Sequence, residues 1–245
     1  MTIAAIAKSG SSTVWLRKLF VAALIVFLAM LCIAIRIAPV DVIKFAGLKR
    51  YKTINQALSP QTDRVVFIGD SITDYWNFLQ FFPGKPYVNR GILGQTTSQI
   101  LLRFRQDVVD LHPDTVVILA GTNDLAEANG IVTLEDIESN YASMSDLARS
   151  NGVHVIWSSV LPIHNHALFS SHMLKEHSPE KILLLNSWLR KYCADEHMQY
   201  LDYFDNMVDE HGLMKPELSD DGIHPNRNGY ALMADLANAA IERTK

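Results

Sequence analysis

Val65-Val66-Phe67-Ile68-Gly69-Asp70-Ser71 reads as a buried strand that ends on a glycine and carries a polar pair into a turn. Four consecutive apolar residues suit a strand covered on both faces, not one that alternates between core and water. The pattern recurs at residues 116–119 and 153–157, and more weakly at 87–89 and 199–201. Between these runs, Ile100, Leu101, Phe104, Val108 and Leu111 share one helical face. Leu134, Ile137, Tyr141, Met144, Leu147 and Ala148 share a second, and residues 182–194 and 230–241 complete the set. Short strands alternating with amphipathic helices predict an α/β domain, a mostly parallel sheet with helices on both faces. Ligands bind such sheets beyond the carboxyl ends of the strands. Ser71 and Asn123 each follow a strand within three or four residues, so both are expected at that rim.

Three further blocks, Gly91-Ile92-Leu93-Gly94, Gly121-Thr122-Asn123-Asp124 and Asp221-Gly222-Ile223-His224, supply with Gly69-Asp70-Ser71 the parts that acyl transfer needs. Ser71 is the candidate nucleophile, against the simpler reading of a helix N-cap. Asp221 and His224, three apart, fit one short loop in which the carboxylate takes Nδ1–H while Nε2 faces the serine. Asp220 is one position farther from His224 and reads as a solvated neighbour. Pro225 stiffens the loop, and Asn226 or Asn228 would cap the helix that follows. The N–H groups of Ser71 and Gly94 and the side-chain amide of Asn123 are candidate donors to an oxyanion. The plainer readings are a turn glycine for Gly94 and an Asx-turn for Asn123. Asp124 reads as a group that holds its turn. Of the remaining histidines, His154 is expected in the core and His112 at a helix end.

Gly69-Asp70-Ser71-Ile72, Gly94, Gly121-Thr122-Asn123-Asp124 and Asp221-Gly222-Ile223-His224 resemble the four signature blocks of the SGNH (GDSL-type) hydrolase superfamily. The resemblance covers roughly residues 63–243, and Ile72 in place of leucine is its one departure. It implies a three-layer α/β/α flavodoxin-like fold and a Ser-His-Asp mechanism free of metal and cofactor, acting on esters or thioesters. It also implies Ser71 as nucleophile, Gly94 and Asn123 as oxyanion donors, and Asp221 with His224 as the rest of the triad. Similarity around Asn89-Arg90-Gly91, Gln95-Thr96-Thr97 and residues 158–162 suggests the bacterial esterase and lysophospholipase-like branch.

Residues 19–35 form a run of 17 residues without a charge, bounded by Arg17-Lys18 and Arg36. A secretory h-region runs about 7–15 residues before a small-residue cleavage site, and no such site follows here. The length fits an uncleaved transmembrane anchor after a short tail, residues 1–18; a cleaved signal or a buried helix are the competing readings. Cations on both sides leave orientation open, with the domain outside the cytoplasm, in a periplasmic setting, as the preferred arrangement. Residues 36–62 form a juxtamembrane connector in which Phe45, Leu48, Tyr51, Ile54 and Leu58 recur at helical steps; part of it is expected as an amphipathic helix packed on the hydrolase domain, residues 63–245.

At 49% hydrophobic and 20% charged residues the chain can bury a sizeable core, and a net charge of −4 without a basic tract argues against nucleic acid as a partner. Cys32 and Cys193 fall in unlike settings and are not expected to pair. The histidines of residues 164–177 match no common zinc spacing, and a loop or lid is the plainer reading. Trp76, Phe78, Phe81 and Phe82 are core, lid or acyl-pocket candidates. The function expected is a membrane-tethered carboxylic ester hydrolase. Rivals are removal of acetyl groups from polysaccharide, lysophospholipase or acyl-thioesterase activity, an acyltransferase, and a catalytically silent binding module. Ester substrates borne on small molecules, glycans or lipids, and the membrane, are the partners implied.

Overall fold

The computed structural model describes residues 6–37, 41–164 and 178–244. The chain divides into two units, Met1–Val42 and Ile43–Lys245. In the first, α1 runs unbroken over Ile6–Ile37. Its stretch Val14–Leu31 has a mean hydropathy of 2.2 with every side chain exposed, so it is long and apolar enough to cross a membrane. Eighteen residues at about 1.5 Å each rise about 27 Å, close to the thickness of a hydrocarbon layer.

From Val42 the elements run α2 (Val42–Phe45), α3 (Lys52–Gln56), β1 (Val65–Gly69), α4 (Ser71–Asp74), α5 (Phe78–Phe81), β2 (Tyr87–Gly91), α6 (Thr97–Asp107), β3 (Thr115–Leu119), α7 (Thr122–Leu125) and α8 (Leu134–Arg149). They continue through β4 (His154–Ser158), α9 (Pro179–Asp195), β5 (Gln199–Leu201), α10 (Phe204–Met207) and α11 (Arg227–Glu242). Among the described residues the five strands are all parallel, in the order β2-β1-β3-β4-β5.

Successive strand residues point to opposite faces, and the core divides accordingly. Val66, Ile68, Val116, Ile118, Val155 and Trp157 pack with Phe104 of α6, Tyr141 and Met144 of α8, and Leu185 and Leu189 of α9. Val65, Phe67, Val117, Leu119 and Ile156 pack on the other face with Trp76, Phe82 and the Met233, Ala237 and Ile241 side of α11. This is the expected three-layer α/β/α sandwich. The chain leaves β1 for β2 on one side and returns to β3 on the other. The order therefore reverses at β1, and a crevice opens beyond the carboxyl ends of β1 and β3.

Part of the connector is helical, in two short pieces: Gly47, at φ +66°, separates α2 from α3, and a Cβ there would lie 3.0 Å from Ile92. Ala46 and Tyr51 are buried, whereas Ile54 is 54% exposed. His154 is exposed and not part of the core, because it is the first residue of β4 and stands at the sheet's rim opposite the crevice.

Candidate active site

β1 ends at Gly69 in very tight quarters. A Cβ there would meet Leu119 O and Thr73 Oγ1, each at 2.3 Å, so the glycine is required for space and not for an unusual φ. Asp70 then caps α4, its carboxylate accepting from Ile72 N–H at 3.0 Å. Because the aspartate is the cap, the hydroxyl of Ser71 is not spent on the helix. Tyr230 of α11 donates to Ile72 O at 2.8 Å and pins this short helix from the far end of the chain.

The second half of the site is a loop ahead of α11. Asp221 Oδ1 accepts from the N–H groups of Ile223 and His224 at 2.9 and 2.8 Å, leaving Oδ2 for His224 Nδ1 at 2.7 Å. His224 Nε2 lies 2.9 Å from Ser71 Oγ, across 153 positions of sequence. With Nδ1–H donating to the carboxylate, Nε2 is left as the acceptor for the serine proton. Burial acts to raise the Asp221 pKa, but the hydrogen bonds from the His224 ring and the two backbone N–H groups outweigh it and hold the carboxyl below its usual range. Gly222 turns the loop at φ +93°. Ser219 Oγ accepts from Gly222 N–H and donates to His224 O, while Asn226 caps α11 through the N–H groups of Asn228 and Gly229. Asp220 is exposed and bonds Asn226, away from the imidazole.

The other two blocks meet at Asn123. Its Nδ2 donates to Gln95 O at 3.0 Å, next to Gly94, and reaches Asp70 Oδ2 at 3.3 Å, next to Ser71. Gly94 turns its loop at φ +74° with open space around the position a Cβ would take. Asp124 accepts from Thr97 N–H and Oγ1, tying the α7 turn to the start of α6. That is a structural task, as expected. The four blocks therefore converge on the crevice: a hydroxyl within hydrogen-bond reach of an oriented imidazole, with Asn123 bonded to the neighbours of both Gly94 and Ser71.

Several participants carry no role in the sequence reading. Burial raises the carboxyl of Asp70 to about 7, against the lowering effects of Ile72 N–H and His224. Arg103, fully buried and paired with Asp107 at 3.1 Å, gathers Gly69 O, Arg90 O and Gln95 Oε1 beneath the rim. The ring of Tyr75 lies 5.2 Å from that of His224, flanking the imidazole. His164 is buried, with Nε2 3.0 Å from Ser219 O and its N–H on Gly222 O at 3.0 Å, and so braces the His224 loop. His166, His172 and His177 lie outside the described residues. Trp76 stacks on Tyr230 and, with Phe78 and Phe82, surrounds Phe67, which makes them core groups. Among the described residues no cluster of three His, Cys, Asp or Glu could hold a metal.

The GDSL-like Lipase/Acylhydrolase family matches residues 67–232. A GDSL-like lipase from Bacteroides thetaiotaomicron superposes with a TM-score of 0.76 at 39% identity, covering 82% of this chain and 100% of that one. An acylhydrolase-class protein from Bacteroides fragilis gives 0.76 at 37% identity over 82% of this chain and 98% of its own. The uncharacterized lipoprotein YqeF of Bacillus subtilis is 30% identical over 118 residues, 40% of this chain, which spans about half (49%) of that relative.

Proposed function

Since the chain belongs to the GDSL-like lipase/acylhydrolase family, we propose that this serine ester hydrolase works through Ser71, His224 and Asp221 while tethered by α1. The observation that carries the reading is the continuous line from Asp221 Oδ2 through both nitrogens of His224 to Ser71 Oγ, at 2.7 and 2.9 Å.

His224 takes the hydroxyl proton as Ser71 Oγ attacks the acyl carbon, and the carbonyl oxygen becomes an oxyanion facing the N–H groups of Ser71, Gly94 and Asn123. His224 then gives that proton to the leaving alkoxide, and an ester of Ser71 remains. Water repeats the sequence, its proton passing through His224 to Ser71 Oγ as the acid departs. The ionised Asp221 holds the ring's tautomer and steadies the imidazolium formed in each half.

The apolar span of α1 supports attachment to a membrane, and the Bacillus subtilis relative is itself named a lipoprotein. Ser71→Ala, measured on p-nitrophenyl acetate beside a fluorophosphonate label, tests the mechanism. Loss of both turnover and labelling with an unchanged circular dichroism spectrum is expected, and retained turnover overturns it. Acetylated glycans, lysophospholipids and acyl thioesters in the same panel rank the natural substrate classes.

A further inference from the structure

The loop that carries Gly94 is gripped by a segment lying upstream of the family-matched residues. Tyr51, 8% exposed, donates its hydroxyl proton to Gly91 O at the end of β2, with the Arg90 guanidinium 4.7 Å from its ring centre. Gln95, on the other side of Gly94, donates from Nε2 to Ala46 O at 2.9 Å and accepts from Arg103 at Oε1. Its backbone oxygen is the same one that receives Asn123 Nδ2. Gly47 fits closely over the loop, its missing Cβ leaving room for Ile92 and Gln95. Gly94 itself is not gripped: the space above it is open, and among the described residues its N–H meets no acceptor. Its direction is therefore set by whatever holds the residues on either side.

We infer that Tyr51 and Gln95 are positioning residues: the segment ahead of β1 clamps both ends of the 91–95 loop and so aims the N–H groups of Gly94 and Asn123 at the oxyanion. This rests on the oxyanion roles given above. Neither side chain touches substrate. Each acts through the loop, and a displacement of about 1 Å at a reacting centre costs up to ~10²-fold in rate.

The test uses the full chain in detergent with Tyr51→Phe, which keeps the ring under Arg90, and Gln95→Glu, which keeps the acceptor for Arg103 but loses the donor to Ala46. Functional sites are counted by end-point fluorophosphonate labelling. Hydrolysis of p-nitrophenyl acetate and inhibition by a trifluoromethyl ketone, which forms a tetrahedral adduct on the serine, are then measured per site. The expected result is kcat lower by about tenfold, KM within about twofold, and ketone affinity weakened by the same factor as kcat/KM. If the melting temperature falls while kcat and ketone affinity per site stay at wild-type values, Tyr51 and Gln95 serve stability alone and the inference is overturned. Asn123→Ala, expected to lose ~10²–10³ in kcat, separates the two levels. Should it keep full activity, the oxyanion assignment itself has failed and the clamp fails with it.

Discussion

Asp70→Asn isolates the electrostatic cost of burying a carboxyl beside Ser71. Asparagine is as good an N-cap as aspartate, so the bond from Ile72 N–H survives. The new amide sets a donor against Asn123 Nδ2, a penalty that does not vary with pH. The native carboxyl ionises at about 7 in the folded chain and near 3.8 when unfolded. Because the folded value is the higher one, the folded state holds the proton longer. The contribution to stability is then fully present below the unfolded pKa and lost as pH rises through the folded one. The full span is a little over three units, or about 4 kcal/mol, of which about 3 kcal/mol falls between pH 5 and pH 8. Urea unfolding in mild detergent, followed by the fluorescence of the buried Trp76 and Trp157, gives the free energy of each protein at each pH. The wild-type value minus that of the variant should decline by about 3 kcal/mol across that window. A difference that stays level, or climbs with pH, refutes the reasoning, because it would mean that Asp70 ionises as freely in the fold as in water.

Two further substitutions probe other parts of the arrangement. Asp221→Asn keeps an acceptor for the loop N–H groups but removes the charge that fixes the His224 tautomer. A loss of about 10³–10⁴-fold in kcat with KM little changed is expected, and a loss below about tenfold would contradict it. Arg103→Met leaves the buried Asp107, which Asn55 Nδ2 still holds, without its cation and releases three acceptors under the rim. Unfolding free energy should drop by roughly 3–5 kcal/mol at neutral pH by urea titration, and an unchanged midpoint would show that the pair holds nothing.

The parts of this molecule legible in sequence are those with a local cause. Apolar runs of strand length, the turn glycines at 94, 121 and 222 and the three-residue step from Asp221 to His224 each constrain a few neighbouring residues, and the fold respects all of them. What stayed hidden depends on partners far along the chain. Arg103 and Arg105 look alike in a helical stretch. Two positions on a helix lie about 200° apart, however, so one is fully buried and the other exposed. Asp70 becomes enclosed because Asn123 arrives 53 positions later to cover it. The connector's apolar spacing suggested a helix over part of it, and the close approach of Ile92 to Gly47, between the two short helices found there, is what the spacing did not show. His154 has strand neighbours on the sequence side of the core, yet as the first residue of β4 it falls just short of being covered.

The 153 positions between Ser71 and His224 have a consequence for the chain while it is being made. A ribosome releases the amino-terminal end first, so the hydroxyl emerges, and its strand can begin to pair, long before His224, its hydrogen-bond partner, has been made. Nor can Tyr230 yet brace the Ser71 helix from the other side. On the proposed mechanism, the nascent polypeptide gains its reactivity toward esters only after the His224 loop has docked against Ser71. On that mechanism, termination anywhere before His224 yields fragments that lack the base.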